Sequence, residues 1–485
     1  MKFVSTRTGI PATAPESVFQ GLAPDGGLFL PLISGEASNL QSSILSVQTL
    51  GDAEKFVCDA LFGDFPEAVR KDAIDRLLSR FPAEDPIPLV EKDGLHILEL
   101  FLGKTGAFKD VALSMLPVFM RHAANGKRVL ILTATSGDTG SAAMQGFAGV
   151  DGTEIIVFYP ATGTSRIHKL QMTTPSEANV HAVGIRGNFD DAQAAVKRIF
   201  ASKEISEAAA KAGITLSSAN SINTGRLVPQ IDYYILAGAK LSATNCQQPT
   251  AFDVVVPSGN FGNILAAYYA KLLGSPIRRL VVASNVNDVL ARFVKTGVYD
   301  PGDRFTVTNS PSMDIRISSN VERLLWMLNY DGDVAAACAE VSRLMKDLKE
   351  KGRYELNEQA KAKLFADFVG GVATPEETEA EMRRMREAAD YLIDPHTAVA
   401  TFVAKKYQQG ELRSSTSTSH SNSSIPVVVA ATATPYKFPE TCLRAFGADV
   451  LTDPPPSFKD LEQLPIAQTR VCDVDKIDAE VTRLF

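Results

Sequence analysis

The sequence predicts an α/β protein with largely parallel sheets. Short apolar runs rich in β-branched residues alternate with segments of helical periodicity, which is typical of repeated strand–helix–strand units. Polar loops containing Gly, Ser or Asn follow several of these runs, and ligands bind such folds at the carboxyl ends of the strands. The chain has 485 residues, enough for two or three domains with a real core.

Six buried strands are expected from the apolar runs. They are Arg128–Ala134, Glu154–Tyr159, Val180–Ile185, Asp253–Pro257, Arg279–Ala283 and Pro426–Ala431. The loop TSGDTG follows the first of these strands, PSGNFGN follows the fourth and TATPYKF follows the sixth. These three loops are therefore the places where the sequence predicts ligand contacts.

Amphipathic periodicity predicts helices between the strands. They are Lys109–Ala124, Thr139–Ala148, Asp190–Phe200, Arg226–Lys240, Gly262–Leu273, Asn320–Lys351, Glu355–Phe368 and Pro375–Asp390. Pro117 should kink the first helix, and the polar insert Ser414–Ser424 cannot build a core and should form a surface loop. We expect a mostly helical N-terminal region (1–90), one α/β domain (91–240) and a second α/β domain (241–485).

Composition narrows the class of partner. A net charge of −7 argues against a nucleic acid or an acidic membrane as partner, but it is compatible with a local basic pocket for a phosphate. The five scattered cysteines contain no CxxC pair and fit free thiols. The six histidines are not closely paired, so no metal site is predicted. The start MKFVSTRTGIPATAPE lacks the apolar stretch of a secretory signal, which favours a cytoplasmic protein.

Lys109 follows a glycine-containing loop and begins an apolar helix in ELFLGKTGAFKDVALSMLPVFM. Burial lowers the pKa of a lysine and frees its amine to form an imine with an aldehyde. Most lysines at helix starts are simply solvated, so GAFKD alone does not indicate catalysis. A Walker phosphate loop is excluded, because Leu98 stands five residues before Gly103, where that motif requires glycine.

Two further loops suit anions. SGDTG, Ser136–Gly140, combines short polar side chains with two glycines and could hold a carboxylate, although it could equally be an ordinary capped turn. SGNFGN, Ser258–Asn263, is the stronger candidate, because Gly259 and Gly262 allow main-chain N–H groups to approach a phosphate. One reactive lysine and two separate anion sites are what pyridoxal phosphate and an acidic substrate require.

Arg226 in SINTGRLVPQ is a candidate for binding a substrate phosphate, because arginine makes bidentate contacts with phosphate, although it could also be an ordinary helix residue. Lys104 and Arg166 are second choices, since both lie in loops with glycine or serine. In DPHTA, Asp394 and Pro395 predict a helix start, and we interpret His396 as structural.

An ordered set of segments resembles the threonine synthase family. The set comprises GAFKD, TSGDTG, SANSINTGRLVPQ, VPSGNFGN, SPSMDIRISSNVERLL, DPHTAVA and ATATPYKF, and the similarity, which includes the N-terminal region, covers roughly residues 1–450. The resemblance implies a fold-type II pyridoxal-phosphate enzyme, similar in architecture to the tryptophan synthase β subunit. The family converts O-phospho-L-homoserine and water into L-threonine and phosphate.

The resemblance also implies roles for individual residues. Lys109 matches the Schiff-base lysine, and Thr432 matches the hydroxyl beside the pyridine nitrogen. The matching cofactor-phosphate loop is Gly259, Asn260, Phe261, Gly262 and Asn263, and the matching substrate-carboxylate loop is Ser136, Gly137, Asp138 and Thr139. The chain departs from the family at Leu102 and Lys104, which replace a common His and Pro, and at Thr434, which replaces a His.

Two other functions share these features. A phospho-lyase acting on the same class of substrate and releasing 2-oxobutyrate would use the same lysine and both anion loops. A non-catalytic regulator that binds an anion or pyridoxal phosphate would keep the loops but would not need Lys109. We therefore expect an enzyme, and the nature of its product distinguishes the synthase from the lyase.

Overall fold

The computed structural model describes residues 3–33, 41–243, 249–412 and 425–485. The polar insert Ser414–Ser424, predicted to be a surface loop, lies outside these residues. Within the described ranges, no helix combines the length and apolar character that crossing a membrane requires.

The described strands form two large sheets and two small ones. In chain order they are β1 (Phe3–Ser5), β2 (Pro11–Ala12), β3 (Phe29–Pro31), β4 (Leu89–Lys92), β5 (Leu95–Glu99), β6 (Arg128–Ala134), β7 (Thr153–Pro160), β8 (Val180–Arg186), β9 (Ile214–Ser218), β10 (Phe252–Pro257), β11 (Ile277–Ser284), β12 (Val298–Tyr299), β13 (Tyr354–Glu355), β14 (Phe368–Val372), β15 (Val427–Ala431) and β16 (Arg470–Asp473). All six predicted strands are present, which confirms the predicted α/β fold class.

The described residues also form α-helices of four to eighteen residues. They are α1 (Ala14–Gln20), α2 (Gln41–Leu45), α3 (Leu50–Leu61), α4 (Glu67–Leu78), α5 (Lys109–Ala123), α6 (Asp138–Phe147), α7 (Arg166–Thr173), α8 (Phe189–Ala201), α9 (Lys203–Lys211), α10 (Thr224–Leu227), α11 (Asp232–Ala243), α12 (Gly262–Leu272), α13 (Val289–Thr296), α14 (Val321–Asn329), α15 (Val334–Lys351), α16 (Glu358–Asp367), α17 (Pro375–Ala389), α18 (Pro395–Gln408), α19 (Pro439–Phe446), α20 (Pro456–Lys459) and α21 (Ile477–Thr482). Pro117 lies inside α5, which is assigned as one helix along its length.

The two large sheets are built mostly from parallel strands. One has the order β14-β11-β10-β15-β5-β4 and is parallel except for the β4–β5 pair; the other, β16-β8-β7-β6-β9, is entirely parallel. β5 precedes β6 in the chain but pairs with β15, while the late strand β16 returns to pair with β8. Both pairings cross the expected boundary at residue 240, and the division into three regions remains a prediction.

Some elements differ from the sequence-based expectation. The helix predicted over Arg226–Lys240 is instead α10, a 3₁₀ turn at Val228–Ile231 and α11, because Pro229 cannot donate a helical hydrogen bond. The helix predicted over Asn320–Lys351 is two helices, α14 and α15, separated by a turn containing Gly332 at φ +114°.

The N-terminal region contains helices α1–α4, and it also contains a small antiparallel sheet that was not predicted. The order of that sheet is β2-β1-β3, and its strands have only two or three residues. Such short strands give no measurable alternation of apolar and polar residues.

Apolar packing joins these layers. The largest buried cluster runs from the N-terminal helices through α5 and α11 to one face of each large sheet. Separate clusters cover the opposite face of the five-stranded sheet, under α8 and α9, and of the six-stranded sheet, under α18. This packing fixes the carboxyl ends of β6, β10 and β15, from which the three predicted ligand loops emerge.

Candidate active site

A cavity of about 1550 Å³ opens at the carboxyl ends of β6 and β10. Its walls include the side chain of Lys109, the loops that follow these two strands, and Thr432 from the loop after β15. Arg226, predicted as a phosphate ligand, also lines it. The structure therefore brings together residues from the three loops that the sequence singles out, although they are separated by up to about three hundred positions.

Lys109 is placed by a backbone pairing between its own loop and the loop that carries Thr432. The Phe108 N–H donates to the Thr432 carbonyl at 2.9 Å, and the Thr434 N–H donates to the Gly106 carbonyl at 2.9 Å. Gly106 has φ +72°, and a Cβ there would lie 2.5 Å from Thr434 Cγ2, so this crossing requires glycine. The pairing sets Lys109 and Thr432 on one wall of the cavity.

The amine of Lys109 contacts a buried carboxylate, that of Asp138. Lys109 Nζ lies 3.0 Å from Asp138 Oδ2, which also accepts a hydrogen bond from the Ser312 hydroxyl at 3.1 Å. The other oxygen, Oδ1, lies 3.0 Å from Lys437 Nζ and 2.7 Å from His168 Nε2. One carboxylate therefore joins two lysines, a histidine and a serine.

Burial decides how these groups ionise. Burial lowers the pKa of Lys109, and the Asp138 carboxylate opposes that effect only in part. Burial would raise the pKa of Asp138, but the charges of Lys109 and Lys437 and the hydrogen bond from His168 bring it well below its usual range. Burial, followed by the charge of Lys437, lowers the pKa of His168 to about 4, so this imidazole is neutral and donates its Nε2–H to the carboxylate.

The side chains of the SGDTG loop have different surroundings. Ser136 and Thr139 line the cavity, Ser136 being exposed and Thr139 half-buried, so their hydroxyls are available to a ligand. Gly137 permits close packing, because a Cβ there would lie 2.7 Å from His168 Cγ. Asp138, also expected to help hold the substrate carboxylate, contacts Lys109 and Lys437, and its own negative charge would repel a substrate carboxylate.

The SGNFGN loop also lines the cavity. It leads from β10 into α12, and Phe261 at its end has φ +64°. The first N–H groups of α12, from Gly262 and Asn263, have no intrahelical acceptor and sit at the positive end of the helix dipole. A Cβ on Gly259 would lie 2.6 Å from the Ser312 carbonyl oxygen, so the loop's close contact with its neighbours requires glycine.

Hydrogen bonds hold this loop from behind. The Asn260 carbonyl accepts from both the N–H and the side-chain amide of Asn320, at 3.1 and 3.0 Å. The side-chain amide of Asn263 donates to the Tyr233 hydroxyl at 2.7 Å. A helix N-terminus whose first N–H groups lack an intrahelical acceptor suits a phosphate, and together with the Lys109 amine and the Thr432 hydroxyl it fits pyridoxal phosphate.

Arg226 is buried beside the cavity. Its Nη1 donates to the Ala219 carbonyl at 2.6 Å, whereas its buried Nε has no hydrogen-bond partner among the described residues. Burial lowers the pKa of Arg226 to about 10, so the guanidinium is charged at neutral pH. A buried charged donor without an acceptor is costly, and an anionic ligand would satisfy it.

The second-choice cations lie elsewhere. Lys104 is exposed and does not line the cavity. Arg166 has a side chain that is 64% exposed and pairs with Glu462 at 2.6 Å. The structure thus brings Arg226 to the cavity, and it does not bring Lys104 or Arg166 there.

Sequence reasoning missed Lys437, His168 and Ser312 as members of the site. Lys437 belongs to TATPYKF and Ser312 to SPSMD, two segments of the recognised set, but only folding reveals their shared carboxylate. His396, interpreted as structural, accepts a hydrogen bond from the Ser312 N–H at 3.1 Å through Nε2 and contacts Asp394 Oδ1 at 2.8 Å through Nδ1. Asp394 caps α18 as predicted.

Comparison with known proteins identifies the family. The model for "Pyridoxal-phosphate dependent enzyme" matches residues 82–420, and the model for "Threonine synthase, C-terminal" matches residues 397–483. Threonine synthase from Saccharomyces cerevisiae is 34% identical over 99% of this chain and 96% of its own length.

Solved structures agree with this match. The yeast threonine synthase structure superposes with a TM-score of 0.87 at 32% identity, covering 99% of this chain and 98% of that one. The pyridoxal-phosphate-bound threonine synthase of Brucella melitensis superposes with a TM-score of 0.84 at 34% identity, covering 100% and 99%. The chain therefore belongs to the threonine synthase family of fold-type II enzymes, whose cofactor is pyridoxal 5′-phosphate.

Proposed function

We propose that this chain converts O-phospho-L-homoserine and water into L-threonine and phosphate, the last step of threonine biosynthesis. The observation that supports it most is the convergence of three sites on one cavity: the amine of Lys109, the SGNFGN loop and the guanidinium of Arg226. When bound, pyridoxal phosphate supplies the electron sink that makes the α- and β-protons of an amino acid removable.

Lys109 is the proposed cofactor lysine and proton carrier. Its lowered pKa keeps a larger fraction of its amine neutral than an exposed lysine would have, and a neutral amine can attack an aldehyde and accept the α-proton. Its side chain is 12% exposed, so it faces the cavity while bulk water is largely excluded from it. The Asp138 carboxylate accepts a hydrogen bond from this amine at 3.0 Å and holds it in place.

The two anion loops are proposed to orient cofactor and substrate. The N–H groups at the start of α12 and the loop Gly259–Asn263 would hold the cofactor phosphate, and the Thr432 hydroxyl would be the partner of the pyridine nitrogen. Ser136 and Thr139, with the main-chain N–H groups at the start of α6, hold the substrate carboxylate. This arrangement would place the substrate α-carbon near Lys109.

Arg226 is the proposed ligand of the substrate phosphate. Arg226 lines the same cavity as the SGNFGN loop, and its buried Nε is a charged donor without a partner among the described residues. A second cationic site is needed because the γ-phosphate must be bound separately from the cofactor phosphate. Protonated arginine also stabilises the dianion that departs from the γ-carbon.

The names of the relatives favour the synthase over the phospho-lyase. Yeast and bacterial relatives that align along nearly their whole length are threonine synthases. The two reactions differ in whether water adds at the β-carbon before the product is released. Membership of a family of enzymes also argues against a purely regulatory anion-binding protein.

A product balance tests the proposal. The purified protein, loaded with pyridoxal phosphate, is incubated with O-phospho-L-homoserine while threonine, 2-oxobutyrate and phosphate are measured in the same samples. We expect one threonine for each phosphate released. Stoichiometric 2-oxobutyrate without threonine would establish the phospho-lyase, and phosphate accompanied by homoserine would indicate simple phosphatase activity.

A further inference from the structure

Lys437 is a buried lysine that has no role in the reaction proposed above. Its side chain is 0% exposed, and it does not line the cavity, so it does not touch the substrate. Its Nζ contacts Asp138 Oδ1 at 3.0 Å and donates to the Thr105 carbonyl at 2.9 Å. The same carbonyl accepts from Gln171 Nε2 at 3.1 Å, so the position of the ammonium is fixed by buried partners on two sides.

The buried cluster around Lys437 contains one carboxylate and two lysines. Asp138 carries one negative charge, and Lys109 and Lys437 are its two lysine partners, one on each oxygen. His168 contributes a hydrogen bond without charge. If both lysines were protonated, the cluster would hold an uncompensated positive charge in a buried site, which is costly. With Lys109 neutral, the charges of Asp138 and Lys437 cancel.

The two lysines differ in their freedom to move away from Asp138. Lys437 is enclosed by Asp138 and the Thr105 carbonyl and has no exposed surface, whereas Lys109 opens onto the cavity. Lys437 therefore remains paired with the carboxylate, and Lys109 is the member that can turn towards a ligand in the cavity. The hydrogen bond from Ser312 to Oδ2 keeps that oxygen partnered when Lys109 turns towards the cofactor.

We propose that Lys437 is a positioning residue that acts as the permanent counter-charge of Asp138, so that Lys109 is available as a neutral amine for cofactor attachment. The proposal rests on the assignment of Lys109 as the cofactor lysine. It adds a role for a residue that touches neither cofactor nor substrate. Removal of the Lys437 charge would leave Asp138 to pair with protonated Lys109 alone, which would make the amine harder to deprotonate.

The groups that face the Lys109 amine come from several elements. Asp138 approaches from α6, Arg226 from α10 and Lys437 from the 3₁₀ turn at Pro435–Lys437, while His168 on α7 reaches the cluster through Asp138. Arg226 and Lys437 both favour the neutral amine, and Asp138 favours the protonated one. His168 stays neutral above about pH 4 and does not titrate in the range used below.

The test measures cofactor attachment, without substrate. The full chain is stripped of cofactor, pyridoxal phosphate is added, and the rate at which lysine-bound cofactor absorbance appears is recorded from pH 6 to pH 10. We expect Lys437→Met to move the midpoint of this profile upward by about 1 pH unit, a roughly tenfold slower attachment on its acidic side. Asp138→Asn should move the midpoint downward.

Two further variants separate charge from packing. Lys437→Gln keeps a hydrogen-bond donor for Asp138 but has no charge, so its midpoint should rise as that of Lys437→Met does; a wild-type midpoint in Lys437→Gln would overturn the proposal. Lys169→Met, at an exposed lysine beside His168, should leave the profile unchanged. An unshifted or lowered midpoint in folded Lys437→Met would likewise overturn it, with folding checked by circular dichroism.

The same experiment separates this proposal from the one on which it rests. Lys109→Ala should show no lysine-bound absorbance at any pH. Attachment that persists in Lys109→Ala would refute the assignment of the cofactor lysine itself. Loss of attachment in that variant, together with unshifted Lys437 variants, would refute only the role of Lys437.

Discussion

The hydroxyl of Ser312 donates a hydrogen bond to Asp138 Oδ2 at 3.1 Å and thereby ties the two halves of the cavity together. The carbonyl of the same serine lies where a Cβ on Gly259 would meet it, at 2.6 Å, and its N–H donates to His396 at 3.1 Å. One residue thus contacts the SGDTG loop, packs against the proposed cofactor-phosphate loop and is held by the start of α18. The positions of Lys109 and of the proposed cofactor-phosphate loop therefore depend on each other through Ser312.

Lys109→Ala should abolish covalent attachment of the cofactor. The reason is that Lys109 offers its buried amine to the cavity beside Thr432. Borohydride reduction followed by peptide mapping should find the reduced cofactor on Lys109 in the wild-type protein and no labelled peptide in the variant. Label on Lys104 or Lys169 would show that the assignment is mistaken.

Gly259→Ala should weaken cofactor binding at least about tenfold, a loss of about 1.4 kcal/mol, while the protein still folds. The new Cβ would lie 2.6 Å from the Ser312 carbonyl, so the loop must shift out of place. Equilibrium titration with pyridoxal phosphate measures the effect. Gly51→Ala in α3 is the matched control, because its Cβ would lie 3.4 Å from the nearest atom, the flexible end of Leu78. Equal affinities in the two variants would exclude a close fit at Gly259.

Arg226→Lys should lower kcat/KM for O-phospho-L-homoserine about tenfold to a hundredfold, corresponding to about 1.5–3 kcal/mol for a charge-assisted contact. A lysine cannot reproduce the planar guanidinium whose Nε lacks a partner. Steady-state kinetics and cofactor titration are measured on the same preparation. The proposal fails if catalytic efficiency is nearly normal, or if the variant loses affinity for the cofactor instead.

The buried carboxyls of Glu54 on α3 and Asp232 on α11 should make stability fall as the pH rises. Burial, followed by the charge of Asp232, raises the pKa of Glu54 well above its usual range, and burial raises that of Asp232 as well. A carboxyl whose pKa is raised by folding binds more protons in the folded than in the unfolded state. The free energy of unfolding therefore declines above the unfolded pKa of about 4.

Glu54→Gln removes one of these charges and should flatten that decline. Thermal unfolding from pH 5 to pH 8 should show a smaller drop in Tm than in the wild type, with the variant relatively more stable at pH 8. Glu67→Gln, at an exposed position of α4, serves as the control and should follow the wild-type curve. If the Tm of Glu54→Gln falls with pH as steeply as that of the wild type, the buried pair Glu54 and Asp232 is not the cause of the decline.

Local signals predicted much of the fold. Arg128–Ala134 is a continuous apolar strand and α5 begins at Lys109, both as the sequence indicates. β9 was missed because ITLSS is short and ends in two serines. The helix expected from Arg226 onward is interrupted where Pro229 removes a backbone donor, an interruption that the proline itself could have signalled.

The site was only partly predictable, because its electrostatics depend on distant residues. The glycine loops and Lys109 have local sequence signatures, whereas the carboxylate of Asp138 joins Lys109 to Lys437, which lies 328 positions further along the chain. No local pattern marks such a pairing. Arg166 shows the same dependence on distant residues. Its loop resembles a ligand loop, but its side chain pairs with Glu462 at the surface.

The most direct test of the proposed function follows the oxygen atoms. The loaded enzyme is incubated with O-phospho-L-homoserine in ¹⁸O-labelled water, and the products are analysed by mass spectrometry. Elimination across the carbon–oxygen bond followed by addition of water predicts threonine with one ¹⁸O in its hydroxyl group and phosphate without label. Unlabelled threonine, labelled phosphate with homoserine, or 2-oxobutyrate as the sole carbon product would contradict the proposal.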